Sequence, residues 1–241
     1  VGGLEVGRRG AVVELTLPGG PGLLTPALDA ELAAAAAEVD HDDEARVVVL
    51  AARGRDFCRG EAEEAAGPDG IAAIASLRIP VIALVRGRAL DAGLELALAC
   101  DLRIVAADAR LGLTQLAAGR LPRRGGTQRL PRLIGYPHAL HMILLAETIG
   151  ARRACALGLA TRVVERERLR REGARLADAI AERGPIAQRL GKEALRAAHD
   201  LPLAEGLRLE GDLYVLLQST RDRDEGIASF RERRAPRFRG R

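Results

Sequence analysis

One stretch, residues 79–100, limits what this chain can fold into more than any other. It opens with the apolar, β-branched run Ile79-Pro80-Val81-Ile82-Ala83-Leu84-Val85, bends at Arg86-Gly87-Arg88, and continues in helix formers from Ala92 to Cys100. That pattern predicts a buried strand passing through a glycine bend into a helix. The first N–H groups of such a helix have no partner within it and point at whatever lies in front. Glu95 falls one turn in, and long helical side chains lean toward the N-terminus, so its carboxylate is expected near the Ala92 N–H. A main-chain donor beside a carboxylate equips a site for acyl transfer or enolate formation.

The flanking sequence supplies more strands before this stretch and more helices after it. Leu4 to Val6 and Ala11 to Leu17 are expected strands joined by a Gly7-Arg8-Arg9-Gly10 turn. Thr25 is placed to cap a helix with Pro26 at its first position, running to about Val39. Arg46 to Ala52 has the Val-Val-Val-Leu centre of a buried strand, Glu61 to Gly70 suits one loose helical turn and a mobile loop, and Ile71 to Leu77 a short helix. Leu102 to Ala106, Leu111 to Leu113 and Arg162 to Val164 are short extended segments. Helices are expected over about Thr127–Leu133, His138–Ala146, Arg152–Leu157, Glu167–Glu182, Pro185–Ala198, Pro202–Leu217 and Asp222–Arg233. The Arg/Glu alternation of Glu167 to Glu182 reads as a solvated, ion-paired face. By pattern alone the chain is mixed α and β, in one domain.

Composition excludes several function classes. At 241 residues, 48% apolar and 29% charged, the chain has an ordinary globular make-up and carries no long charge-free apolar run or signal-peptide pattern. A cytoplasmic protein with no membrane association is therefore expected. Cys58, Cys100 and Cys155 are odd in number and unclustered, which argues against disulfides or a metal site. His138 and His141 lie three apart with no third ligand, and the Gly19-Gly20-Pro21-Gly22 loop lacks the ending of a nucleotide P-loop. Of 37 basic residues only Lys192 is lysine. Arginine suits phosphate, but two Tyr, three Phe and no Trp offer no stacking platform, so nucleic acid is not an expected partner of the basic tail Arg231 to Arg241.

Three motifs in order carry a resemblance. They are Gly54-Arg55-Asp56-Phe57-Cys58-Arg59-Gly60, the 79–100 stretch, and Gly119-Arg120-Leu121-Pro122-Arg123-Arg124-Gly125-Gly126-Thr127-Gln128-Arg129-Leu130. With Leu15-Thr16-Leu17-Pro18 near the start and Glu225-Gly226-Ile227-Ala228-Ser229-Phe230 near the end, the chain resembles the enoyl-CoA hydratase/isomerase (crotonase) superfamily over nearly its whole length. The resemblance implies an α/β fold, a spiral of β-β-α turns with a C-terminal helical trimerisation region. Residues 1–184 would form the spiral core with the acyl-thioester site, and residues 185–241 the helices of a homotrimer or a dimer of trimers. It also implies no prosthetic group, with a coenzyme A thioester, or an acyl-carrier thioester, as substrate.

By the same resemblance, the backbone N–H groups of Glu61 and Ala92 form the oxyanion hole, Glu95 is the working carboxylate, and Leu24, Arg59, Gly60 and Gly119 approach the substrate or its CoA. The second catalytic glutamate of family hydratases is here Gln115, which has no carboxyl proton to exchange. The family's CoA-facing lysine falls in the acidic run Glu61-Ala62-Glu63-Glu64, with Arg53, Arg55 and Arg59 as compensating cations. Arg123 and Arg124 are within reach of the pocket, and Gly125-Gly126 reads as scaffold. The implied activity is hydration of a 2-enoyl thioester. A specialised relative (a C–C bond hydrolase, decarboxylase or isomerase) and a non-catalytic acyl-ligand-binding protein are the alternatives.

Overall fold

The computed structural model describes residues 2–20, 22–62 and 67–241. Its chain repeats one unit, in which a strand enters a large sheet, a second extended piece enters a small layer, and a helix returns. The first unit is β1 (Glu5–Arg9), β2 (Val12–Leu17) and α1 (Pro26–His41), and the second is β3 (Val47–Ala52) with α2 (Gly70–Ser76). The third is β4 (Val81–Val85), β5 (Arg88–Leu90) and α3 (Ala92–Ala99), and the fourth begins with β6 (Leu102–Ala106) and β7 (Arg110–Gly112). There follow α4 (Gly126–Ile134), α5 (Tyr136–Leu144), β8 (Thr148–Gly150), α6 (Ala151–Ala156), β9 (Arg162–Val164) and α7 (Leu169–Ala181). The last three helices are α8 (Pro185–Ala197), α9 (Leu203–Gln218) and α10 (Arg221–Glu232).

The six-stranded sheet has the order β1-β2-β3-β4-β6-β9 and is parallel apart from the β1–β2 pair. Parallel strands covered on both faces read as continuous apolar runs, and β3 is buried at all six positions. Its side chains still alternate. Val48, Leu50 and Ala52 join the core under α1 to α3, whereas Val47, Val49 and Ala51 join a second cluster with Leu169 and Ala177 of α7. In α1, Thr25 Oγ1 accepts from the Leu28 N–H at 3.2 Å and Pro26 opens the first turn. Leu28, Leu32, Ala35, Ala36 and Val39 then face the core, where full burial of a leucine contributes roughly 1.5–3 kcal/mol.

Several expectations need correction. The first hairpin turns at Gly10-Ala11, with Arg9 opposite Val12, because Gly10 adopts a φ of 59° and so makes the tight turn; Gly7 to Arg9 are strand. Arg88 is not part of a bend but begins β5, which pairs with β7. The three-residue β8, antiparallel to β7, was not expected from sequence at all. Glu167 to Glu182 splits into a 3-10 turn at Arg166–Arg168 and the helix α7, whose Leu169, Gly173 and Ala177 are buried on the sheet while Glu172 pairs outward with Arg162 and Arg175. The loose helical turn expected over Glu61 to Gly70 falls partly on residues 63–66, outside the described residues.

Candidate active site

The small layer explains why distant segments meet. Its sheet runs β5-β7-β8. Isolated parallel bridges Cys58↔Ala89 and Leu24↔Glu61 extend it toward the start of the chain. Each turn of the spiral therefore leaves this layer at the same edge: the first at Leu24, the second at Glu61, the third at Ala92 and the fourth at Gln115. The contacts are close enough to demand glycine. Gly60 has a φ of 141°, and a side chain on Gly93 would overlap the carbonyl of Cys58.

The segments that carry the two expected main-chain donors run alongside each other in this layer. The Leu90 N–H donates to the Cys58 carbonyl at 2.9 Å, and Gly60 packs against Asp91. The bridging bonds of the neighbouring strand are Leu24 N–H to Gly60 O (2.8 Å) and Ala62 N–H to Leu24 O (3.0 Å), which pass over the Glu61 N–H. Ala92 is the first residue of α3 and has no acceptor within its helix. Neither N–H has an acceptor among the described residues.

Glu95 is buried, with 2% of its surface exposed. Its carboxylate was expected near the Ala92 N–H. Instead its Oε1 accepts from the N–H groups of Arg124 (2.8 Å) and Gly126 (2.9 Å). The close approach depends on Gly126, since a Cβ there would lie 3.0 Å from Oε1. Gly126 is thus more than scaffold. Burial raises the pKa of Glu95 above its ordinary 4.5, against the opposing pull of those two N–H groups. Oε2 faces Gln115, whose Nε2 stands 3.5 Å away. Gln115 opens a 3-10 turn (Gln115–Ala118), is 7% exposed, and its Oε1 has no hydrogen-bond partner among the described residues. A buried carbonyl without a donor is costly, so this oxygen is available to a hydroxyl or water.

Around this pair sits an ionic hub, centred on the buried Arg124 and Asp29, that sequence reasoning only partly anticipated. Arg124 donates to Asp29 Oδ2 (2.5 Å), Asp69 Oδ1 (2.7 Å) and Glu61 Oε1 (3.2 Å), and Arg123 reaches Glu61 Oε2 at 3.2 Å. Asp29 in turn accepts from the Gly70 N–H at 2.9 Å. Burial opposes the charge on Arg124, but the hydrogen bonds to Asp29 and Asp69 outweigh it and hold its pKa above the ordinary value. Residues 123–126 therefore grip both halves of the site: main-chain N–H groups hold Glu95, and guanidinium groups hold the side chain of Glu61. Asp29 and Asp69 were missed, and the adjacent Arg123-Arg124 pair was the one available signal for them.

The remaining candidates are more scattered. Leu24 is buried and, with Leu17, Pro18, Gly22, Phe57 and Cys58, lines a cavity of about 240 Å³. Arg59 flanks Gly22, donating its N–H to that carbonyl at 2.6 Å, with its Nε 3.8 Å from Asp56. Gly119 closes the 3-10 turn with a φ of 66° and is exposed. Arg53 pairs with Glu5, on the exposed side of the sheet. Glu63 and Glu64 of the acidic run lie outside the described residues. Among the described residues no cluster suits a metal ion and no helix is long and apolar enough to cross a membrane.

Comparison with known proteins gives a consistent result. The profile of the enoyl-CoA hydratase/isomerase family matches residues 10–241. An (E)-benzylidenesuccinyl-CoA hydratase of Thauera aromatica is 37% identical over 98% of both chains. The mitochondrial methylglutaconyl-CoA hydratase of Mus musculus is 40% identical over 69% of this chain, which spans 54% of that longer protein. Among solved structures, an enoyl-CoA hydratase from Bacillus anthracis superposes with a TM-score of 0.91 at 36% identity, covering 99% of each chain. One from Geobacillus kaustophilus reaches 0.92 at 37%, covering 99% of this chain and 98% of that one.

Proposed function

The chain belongs to the enoyl-CoA hydratase/isomerase family and has its crotonase fold, and from that premise we propose that it adds water across the double bond of a 2-enoyl thioester with Glu95 as its one working carboxylate. The N–H groups of Glu61 and Ala92 receive the thioester oxygen. Ionised Glu95 takes a proton from water as the oxygen attacks C3, the electron pair of the double bond moves toward C2 and the carbonyl, and the two donors stabilise the resulting enolate. Protonated Glu95 then returns the proton to C2 as the enolate collapses. Gln115 takes no proton in this scheme; its Oε1 accepts a hydrogen bond from the water and later from the product hydroxyl.

The observation that carries this reading is the pairing of a buried carboxylate, held on one oxygen by two main-chain N–H groups, with a buried and unpartnered amide carbonyl. In the same reading Leu24, Arg59, Gly60 and Gly119 line the path of the thioester and its CoA or carrier arm. Residues 1–184 are the catalytic spiral. Residues 185–241 are helices of a homotrimer or a dimer of trimers, for which the exposed Leu203, Leu207, Tyr214 and Val215 of α9 supply the apolar surface.

A second reading, a protein that binds an acyl thioester without turnover, is favoured by the acidic run Glu61-Ala62-Glu63-Glu64 and by Gln115, since loss of a general acid/base removes about 10²–10⁴-fold of rate. A panel of 2-enoyl-CoA thioesters followed by mass spectrometry separates the two. Addition of one water supports hydration, and tight binding with unchanged mass supports the binder. Gln115→Glu should raise hydration by about 10-fold or more; no gain would place Gln115 outside the water site.

A further inference from the structure

Asp91, the residue just before Ala92, has the backbone angles φ 52° and ψ −121°, a conformation that L-residues rarely adopt. It stands at the N-cap of α3, where an aspartate ordinarily turns its carboxylate onto the first N–H groups of its own helix. Here it makes no such cap. Its Oδ1 instead accepts from the N–H of Thr114 at 2.6 Å and from the Thr114 hydroxyl at 3.0 Å, and its own N–H donates to the Gly112 carbonyl at 2.9 Å. The strained backbone and the diverted side chain are one arrangement. Swinging the carboxylate to Thr114 leaves the first N–H groups of α3 without a side-chain cap. It also ties Ala92 to the residue directly before Gln115.

We propose that Asp91 is a positioning residue that, through its strap to Thr114, keeps the Ala92 N–H free and aimed and fixes its distance from Gln115. This rests on the role given to Ala92 in the proposed function. A carboxylate left to cap α3 would occupy the donors and repel a developing enolate. A residue at this position with no side-chain anchor would let the Ala92 peptide turn. Glycine separates the two contributions, because it accepts the positive φ without strain but supplies no strap.

The test compares the wild type with Asp91→Gly, Asp91→Ala and Asp91→Asn, the last keeping an Oδ1 acceptor for Thr114. Two measurements are made on each: turnover of a 2-enoyl-CoA, and affinity for a 3-oxoacyl-CoA, read with the absorbance of its bound enolate and set against affinity for free CoA. Asp91→Gly is expected to lose about 10²-fold in kcat with KM changed less than about 3-fold. It should weaken 3-oxoacyl-CoA binding about 10-fold, leave CoA binding as it was, and melt above Asp91→Ala, since both variants lose the two Thr114 hydrogen bonds but glycine relieves the backbone. Asp91→Ala should lose as much rate and also melt lower, and Asp91→Asn should recover most of the rate. Wild-type kcat and 3-oxoacyl-CoA affinity in Asp91→Gly would overturn the proposal, as would equal losses for 3-oxoacyl-CoA and free CoA. If the wild type itself does not prefer 3-oxoacyl-CoA to CoA, the donor role of Ala92 falls and the proposal falls with it. If the wild type does and Asp91→Gly keeps that preference, only the role of Asp91 fails.

Discussion

Helices α3 and α9 are both rich in leucine and use it in opposite ways. Every residue of α3 is buried, Glu95 included, whereas no residue of α9 is, and Leu203, Leu207, Tyr214 and Val215 are each more than half exposed. In α3 the apolar side chains fix one carboxylate against a glycine-lined layer. In α9 the same kind of residue faces outward and has no use within one chain. The site depends on the packing of the spiral, whereas α9 leaves its apolar side chains exposed, the surface that the proposed trimer would cover.

The sharpest way to break this contrast is at Gly93. Its α-hydrogen faces the Cys58 carbonyl, so Gly93→Ala must push apart the two segments that carry Glu61 and Ala92. Activity is expected to fall by at least about 10²-fold, with a loss of roughly 3 kcal/mol in denaturant unfolding. The one lysine is next. Lys192 of α8, 9% exposed at its side chain, donates to the Ile79 carbonyl (2.6 Å) and to Asp101 (2.5 Å), joining the C-terminal helices to the spiral. Lys192→Met should cost about 1–2 kcal/mol, less than a fully buried pair, because Asp101 is partly exposed and retains the Val81 N–H and Arg196. The double change Leu207→Asp with Tyr214→Asp should leave the stability of the single chain within about 0.5 kcal/mol and dissociate the proposed trimer, as sedimentation would show. An unchanged sedimentation coefficient would remove α9 from the interface.

The smallest effect is one of pH. Burial raises the pKa of Glu95 in the folded protein above its ordinary 4.5. The folded state therefore holds that proton more tightly than the unfolded chain, and this contribution to stability is lost as pH rises from about 4.5 through the folded pKa. Glu95→Gln removes the dependence. The melting temperature of the variant relative to wild type should rise between about pH 4 and pH 8; a constant difference would mean that burial does not burden the ionised carboxylate.

What was legible in the sequence was local. The Thr25-Pro26 start of α1, the Val-Val-Val-Leu of β3 and the strand-to-helix passage into α3 follow from neighbours a few residues apart, and all three stand in the structure. Strands β5 and β8, three residues each, owe their form to partners elsewhere in the chain and left no period to read. Glu95 was found from its place in the helix, but its partners were not, because the missing side chain of Gly126 lets the α4 terminus come closer than the first turn of α3. The ionic hub was the least legible: Asp29 and Asp69 lie 95 and 55 residues from Arg124 and carry no pattern of their own.

The most direct measurement is the hydration rate of a short 2-enoyl-CoA by Glu95→Gln beside the wild type, with CoA affinity and circular dichroism recorded for both. If Glu95 is the lone carboxylate that moves the proton, the rate falls by about 10²–10⁴-fold while binding and fold are kept. Equal rates in the two proteins would contradict it.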